Sequence, residues 1–351
     1  MPHCGVVALA ILTNCLSAQT WINHDSGVTA SLRGVSAVND RVAWASGSGG
    51  TYLTTTDAGI TWRTATVPGA ETLDFRGVHA LDARTAYLLA SGPGEKSRIY
   101  KTADSGVHWT LQFTNPDSKG FFDAIAFWDA RHGIVLGDPV DGEFVIFTTS
   151  DGGAHWLRQH ALPAIPNEGA FAASNTCLIV RGPRKAWFAT GGPGGARVFH
   201  SEDSGQSWTV ARTPVRNDAA TSGIFSLAFS DSRHGIAVGG DYMKPAETEH
   251  NIALTSDGGR TWTEPEGAHP SGYRSAIAFV PDKKMWVAAG TTGSDVSYDD
   301  GRTWKLFETG AFNALSFSSS RTGWAVGPNG RLGSYVGRVP DLPIKTARPV
   351  R

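Results

Sequence analysis

Hydrophobic and polar positions alternate along this chain in short runs, and no stretch sustains the 3.6-residue period of an amphipathic helix. The stretch from Phe121 to Trp156 shows the unit most plainly. FFDAIAFW reads as a strand, DARHG as a turn and IVLGD as a second strand; EFVIFTTS is a third, and a fourth begins at Trp156. β-Branched and aromatic residues fill the apolar positions, as a pleated, half-buried surface favours. The second strand recurs seven times: VAWASG (42–47), AYLLASG (86–92), GIVLGD (133–138), AWFATGG (186–192), GIAVGGD (235–241), MWVAAG (285–290) and GWAVG (323–327). This pattern predicts an all-β fold, a seven-bladed β-propeller of four-stranded blades.

One polar motif, Ser/Thr-x-Asp-x-Gly-x-x-Trp, punctuates six of the units: Thr55–Trp62, Thr102–Trp109, Thr149–Trp156, Ser201–Trp208, Thr255–Trp262 and Ser297–Trp304. The Asp carboxylate can accept N–H groups inside a tight turn, Gly supplies a positive φ, and Trp opens the next strand with a large buried ring. This is the pattern of the Asp-box, or BNR repeat. Successive motif tryptophans lie 47, 47, 52, 54 and 42 residues apart, the length of one blade. The seventh unit, 312–336, has three strands and no motif, whereas Thr20-Trp21-Ile22-Asn23 looks like the exit of a motif. The N-terminal strand is therefore expected to complete the last blade and close the ring, leaving no open sheet edge. Residues 19–337 form the propeller on this reading, and 338–351 a C-terminal tail.

The twelve tryptophans fit the same scheme. Six leave the motifs, Trp21 stands in for a seventh, and Trp44, Trp187, Trp286 and Trp324 share one position of the second strand. Only Trp128 falls outside, at a strand end, so core packing explains the set without an aromatic ligand platform. Charged residues are 18% of the chain and the formal net charge is −1, so no basic field favours nucleic acid or anionic membranes. Residues 1–18 read as a signal peptide: Gly5–Leu16 is apolar but too short to span a bilayer, and Leu16-Ser17-Ala18 offers a cleavage site. Met1-Pro2-His3 lacks the usual Lys or Arg. Leu12-Thr13-Asn14-Cys15 faintly resembles a lipoprotein box, with an atypical Asn before Cys15. Cys4 and Cys15 lie in the signal, which leaves Cys177 alone and no internal disulfide. No later segment is long and apolar enough to cross a membrane. The expectation is an exported monomer, periplasmic or secreted.

Strands in a blade alternate in direction, so all six motif turns share one face of the ring. Asp57, Asp104, Asp151, Asp203, Asp257 and Asp299 are then turn residues rather than catalytic acids. The longest connections, 157–175, 210–223, 263–272 and 241–251, gather on the other face, where function is expected. Counting eleven residues back from each second-strand position gives Arg33, Arg76, Asp123, Thr176, Phe225, Ser275 and Asn313. These begin the innermost strands and should ring the channel mouth, joined by Tyr273 and Arg274, with Asp241 and Tyr242 in the adjoining insertion. Asp138, Asp141 and Glu143 offer carboxylates to a hard cation, but their spacing matches no EF-hand, and a polar turn is the reading. His132 and His234 occupy equivalent Arg-His-Gly turns with no nucleophile context. No phosphate-binding glycine motif opens a helix. Neither cofactor nor metal is expected.

Two resemblances bear on function. Asp-boxes are prominent in sialidases and some endoglucanases, and sialidases pair a Tyr nucleophile with three substrate-clamping arginines. That resemblance implies Arg33, Arg76 and Arg274 as clamps and Tyr242 or Tyr273 as nucleophile with Glu168 nearby; a glycosidase more generally would place carboxylates such as Asp123 at the channel mouth. Leu32-Arg33-Gly34-Val35 and Phe75-Arg76-Gly77-Val78 are only distantly similar to the sialidase Arg-Ile-Pro entry, because the Pro is missing. The Gly-Trp-Ala-Val-Gly strand at Gly323–Gly327 and the motif at Thr255–Trp262 resemble bacterial relatives of the photosystem II stability/assembly factor family, over residues 20–336. That resemblance implies an exported seven-bladed propeller that assists assembly by binding other proteins, with Arg33 and Arg76 matching its arginine-rich surface. It does not imply a photosynthetic role. The sequence thus favours a non-catalytic module binding a protein or glycan through its loop-rich face, with a glycoside hydrolase as the alternative.

Overall fold

A computed structural model describes residues 20–336. The readings of a signal peptide, of Cys4 and Cys15, and of the tail lie outside the described residues. Seven antiparallel sheets form the blades, and their innermost strands are Leu32–Ala37, Phe75–Ala80, Phe122–Phe127, Leu178–Arg181, Ser222–Phe229, Ala276–Val280 and Ala314–Phe317. Five sheets take their four strands in simple chain order. In the fifth blade the outer strand shrinks to a single bridge between Leu254 and Thr263.

The seventh blade closes as its sequence implies. Thr20–His24 pairs antiparallel with Leu332–Val336, from Thr20 opposite Val336 to His24 opposite Leu332. Trp21 is buried beside Phe307, Phe312, Phe317 and Tyr335, and its Nε1 donates to Ser294 Oγ of the sixth blade at 3.0 Å.

Seven buried apolar clusters are present among the described residues, one at each contact between neighbouring blades. The ring therefore has no single centre of packing, and its stability resides in inter-blade contacts. The motif turns clamp these contacts. In the first blade, Thr55 Oγ1 accepts from Gly59 N–H at 2.9 Å and donates to Asp57 Oδ1 at 2.9 Å. Asp57 in turn accepts the Thr61 hydroxyl at 2.6 Å and the Thr61 N–H at 3.0 Å, bonds that hold its carboxyl down at about 2. His108 supplies the equivalent donors to Asp104, which is likewise held at about 2.

The turn demands more of the backbone than one glycine. The residue before the glycine is also left-handed, as at Ala58 (φ 64°) and Gly59 (φ 82°). The missing Cβ has a second purpose. A Cβ on Gly59 would fall 2.0 Å from Trp324 Cη2, and one on Gly301 would fall 2.3 Å from Ile236 Cδ1. Trp324 and Ile236 are second-strand residues of the preceding blade, so each turn sits on its neighbour. Hydrogen bonds cross the same seam: Tyr87 Oη donates to Gly152 O at 2.8 Å, and Trp187 Nε1 to Gly258 O at 2.8 Å. The seventh blade has no motif, and Trp286 Nε1 of the sixth is buried without a partner among the described residues.

Candidate functional site

Four innermost strands slip register at their start, between Leu32 and Gly34, Phe75 and Gly77, Phe122 and Ala124, and Ile224 and Ser226. The residue inside each slip is Arg33, Arg76, Asp123 or Phe225. A bulge leaves its extra residue out of the ladder and re-aims the side chain, here at the channel mouth on the loop-rich face.

The mouth is plugged. Phe171–Asn175, the end of the long loop between blades three and four, lies across it. Phe171 stacks on Phe225 with ring centroids 3.9 Å apart. Arg33 donates to Ala172 O at 3.3 Å, Ser174 Oγ to Ser275 O at 2.7 Å, and the Asn175 amide exchanges two bonds with the Ile125 backbone at 2.9 and 3.0 Å. This plug ties together the inner strands of blades one, three, five and six. Thr176 bonds Ser226 at 2.6 Å, Ser275 bonds Asn313 O at 2.8 Å, and Asn313 Nδ2 bonds Leu32 O at 2.8 Å, so these mouth residues act as ring fasteners.

Beside the plug, Arg33 and Arg76 come within electrostatic reach of one another. Burial lowers the Arg33 pKa, the Arg76 charge lowers it further, and Asp74 and Tyr273 partly offset both. Arg76 pairs with Asp74 at 2.7 Å and lies over the Phe121 ring at 5.9 Å. Asp123 is 1% exposed, and neither of its carboxyl oxygens has a hydrogen bond of good geometry among the described residues. Burial pushes its pKa well up and the Asp138 charge adds to this, against Arg76 and the Ala172 N–H. Asp74 is the carboxylate that faces both guanidinium groups. Cys177 is buried close to Asp123, and its thiol is pushed up by burial and by that carboxyl.

A cleft of about 820 Å³ opens next to this group, walled by Phe121, Pro139, Ile165, Pro166 and Phe171, with Asp138 in it. Asp138 Oδ1 accepts the Ala170 N–H at 2.9 Å, and Oδ2 has no hydrogen bond among the described residues. Burial raises the Asp138 pKa to about 6, against the pull of Ala170 N–H. A folded-state pKa above the unfolded value of about 3.9 favours the fold below pH 4, and that contribution is lost as pH rises through 6. Asp138→Asn removes the penalty. Its urea unfolding free energy is expected to exceed wild type by about 3 kcal/mol at pH 8 and to match it near pH 4. Equal stabilities at both pH values would refute the burial of an ionised carboxylate.

Other sequence candidates are placed differently. Glu168 borders the cleft, but its side chain is 0% exposed. Arg197 grips both carboxylate oxygens, Thr190 Oγ1 donates to Oε1 at 2.6 Å and Ile165 N–H to Oε2 at 2.9 Å. It shapes the loop and has no lone pair left for acid–base work. Arg274 is 0% exposed, bound to Asp295 at 2.6 Å, and does not join Arg33 and Arg76 in a triad. Tyr273 is buried edge-on to Phe225 at 4.8 Å, and burial pushes its phenol up, the reverse of what a nucleophile needs. Tyr242 is 44% exposed at the rim, while buried Asp241 accepts Met243 N–H at 2.9 Å and caps its own loop. The carboxylates of DPVDGE diverge: Asp141 meets Lys119 at 3.4 Å and Glu143 accepts Ala161 N–H at 2.7 Å. The plug and Asp74 escape sequence reading; the small polar run Ala172-Ala173-Ser174-Asn175 is their only trace.

Solved propellers share this architecture. A structure of YCF48 bound to a D1 peptide is 19% identical, with a TM-score of 0.65 over 91% of this chain and 97% of that one. YCF48 from Cyanidioschyzon merolae is 17% identical, with a TM-score of 0.62 over 91% of this chain and 98% of that one. The GH74 enzyme of Niastella koreensis is 16% identical, with a TM-score of 0.61 over 89% of this chain and 53% of that one. At these identities the likeness is one of fold. No family model and no curated protein matches the chain.

Proposed function

We propose that this protein is an exported, non-catalytic Asp-box propeller that binds a segment of a protein partner on its loop-rich face. Arg33 and Arg76 take an acidic group of that segment. The observation that carries this reading is the pair of half-buried guanidinium groups on adjacent bulges, which share the single carboxylate of Asp74. Desolvated guanidinium groups bind carboxylates strongly because they present forked donors in a low-dielectric setting. The similar propeller whose structure holds a peptide supports the same use of the fold.

A synthetic acidic peptide, Ac-Ala-Glu-Ala-Glu with a free C-terminus, tests it by fluorescence anisotropy of a labelled form. Arg33→Gln and Arg76→Gln are each expected to weaken binding about tenfold, as loss of one charge-assisted contact does. Affinity indifferent to both changes would overturn the assignment.

The glycosidase reading draws on the GH74 neighbour. Glycosidases flank the scissile bond with two carboxyl groups, ~5–5.5 Å apart when retaining and ~6.5–9.5 Å when inverting. Among the described residues Asp138 is the one carboxylate left open in the cleft, because Arg197 holds Glu168 and Asp123 is buried. Turnover of fluorogenic glycosides that Asp123→Ala or Asp138→Asn abolishes would reverse this choice.

A further inference from the structure

The Asp138 cleft is unlike the rest of the ring. Two buried carboxylates, Glu168 and Asp295, are each held by an arginine, Arg197 and Arg274. Asp123 is buried and does not line the cleft. Asp138 has one amide and no cation. The charged groups around it do not supply one. Lys119 stands at the rim, 74% exposed and tethered to Asp141, and Arg76 is engaged by Asp74 and does not line the cleft. An ionised group so placed weakens the fold, and departures of this kind from local optimisation concentrate at functional sites.

The walls narrow the choice of ligand. Phe121, Pro139, Ile165, Pro166 and Phe171 offer apolar surface along the path to the carboxylate. A ligand that satisfies both features carries a cation on an aliphatic stem. Ala170 N–H already occupies Oδ1, which leaves Oδ2 as the open acceptor. One fully open oxygen beside one already engaged suits a compact ammonium better than the two-pronged fork of a guanidinium. We propose that the Asp138 cleft is a receptor pocket for a lysine side chain of the bound protein segment, its methylenes against the apolar walls and its ammonium on Asp138 Oδ2. This inference rests on the peptide-binding reading but uses a different set of residues. Asp123 lies between them, close enough to feel both Arg76 and Asp138. The face thus presents adjoining positive and negative subsites.

The test uses the folded wild-type protein and two peptides, Ac-Ala-Lys-Ala-NH2 and its norleucine counterpart, which keeps the stem and loses the charge. Both are titrated at millimolar concentration at pH 7.5 while the Asp138 carboxyl carbon is followed by NMR. The lysine peptide is expected to bind about tenfold or more tightly than the norleucine peptide, the effect of one charge-assisted hydrogen bond. It should also draw the Asp138 titration midpoint below its value in the free protein, and its affinity should fall as pH drops through 6, where Asp138 gains a proton. Asp138→Asn should erase the preference for lysine. The acidic peptide, titrated separately on the same wild-type protein, reports the arginine subsite, which separates failure of this pocket from failure of that one. Equal binding of the two peptides, or a lysine peptide that leaves the Asp138 midpoint unmoved, overturns the proposal; the second readout needs no variant to fold. An arginine peptide that binds tighter than the lysine peptide would overturn the choice of ammonium.

Discussion

Gly59→Ala is expected to lower the unfolding free energy by about 2–5 kcal/mol, although the new side chain is one methyl group at a surface turn. Two costs combine. Gly59 has φ +82°, where a residue with a Cβ is disfavoured by about 1–2 kcal/mol. The new Cβ would also fall 2.0 Å from Trp324 Cη2 and 2.7 Å from Cζ2. That ring is 2% exposed and fixed by Trp62 at 4.9 Å and His24 at 5.4 Å, so it has nowhere to withdraw. Overpacking of such a contact costs about 1–3 kcal/mol. Gly69→Ala is the control, since Gly69 has φ +77° but nothing within 4 Å of its missing Cβ. Urea denaturation of the two variants separates the terms. Equal losses would show that the motif is a self-contained turn rather than a clamp between blades.

The same clamp explains why the fold was legible from sequence. Each blade restates the alternation of its strands and the spacing of its turn, so blade number, strand order and the closing role of Thr20–His24 could all be read locally. The fixed offset of eleven residues located Arg33, Arg76, Asp123 and Phe225 because the bulge recurs at the same point of the inner strand. The plug was hidden for the opposite reason. Its bonds join residues 50, 101 and 139 positions apart, and a loop carries no periodicity that could announce them. Glu168 looked free because Arg197 lies 29 residues away on another element of the blade. Asp138 and Glu143 share a short acidic run yet differ in surroundings, a difference set by which amide each meets and how deeply it is buried.

Arg274 shows how a one-residue step changes a role, and it carries the last prediction. Successive residues of extended chain point to opposite sides, so the neighbour of a mouth residue such as Ser275 is directed into the blade. There Arg274 is 0% exposed and Asp295 1% exposed, joined at 2.6 Å. Arg274 also donates to Tyr273 O at 2.8 Å and Thr292 Oγ1 at 2.9 Å, while Ser271 N–H donates to Asp295 at 3.2 Å. The pair thus fixes the loop that enters the sixth blade and, with it, Tyr273 against Phe225. Asp295→Asn keeps the shape but strands a guanidinium in a dry site, an error worth about 3–5 kcal/mol in unfolding free energy. Arg274→Met combined with Asp295→Leu removes both charges and should recover most of that loss, because desolvating the pair offsets much of its attraction. Peptide binding provides the second readout. Release of Tyr273 should weaken binding at the neighbouring Arg33 in Asp295→Asn, and the apolar double variant should restore it if packing alone positions the mouth. A double variant that regains stability without regaining binding would instead give the buried ion pair a part in shaping the site.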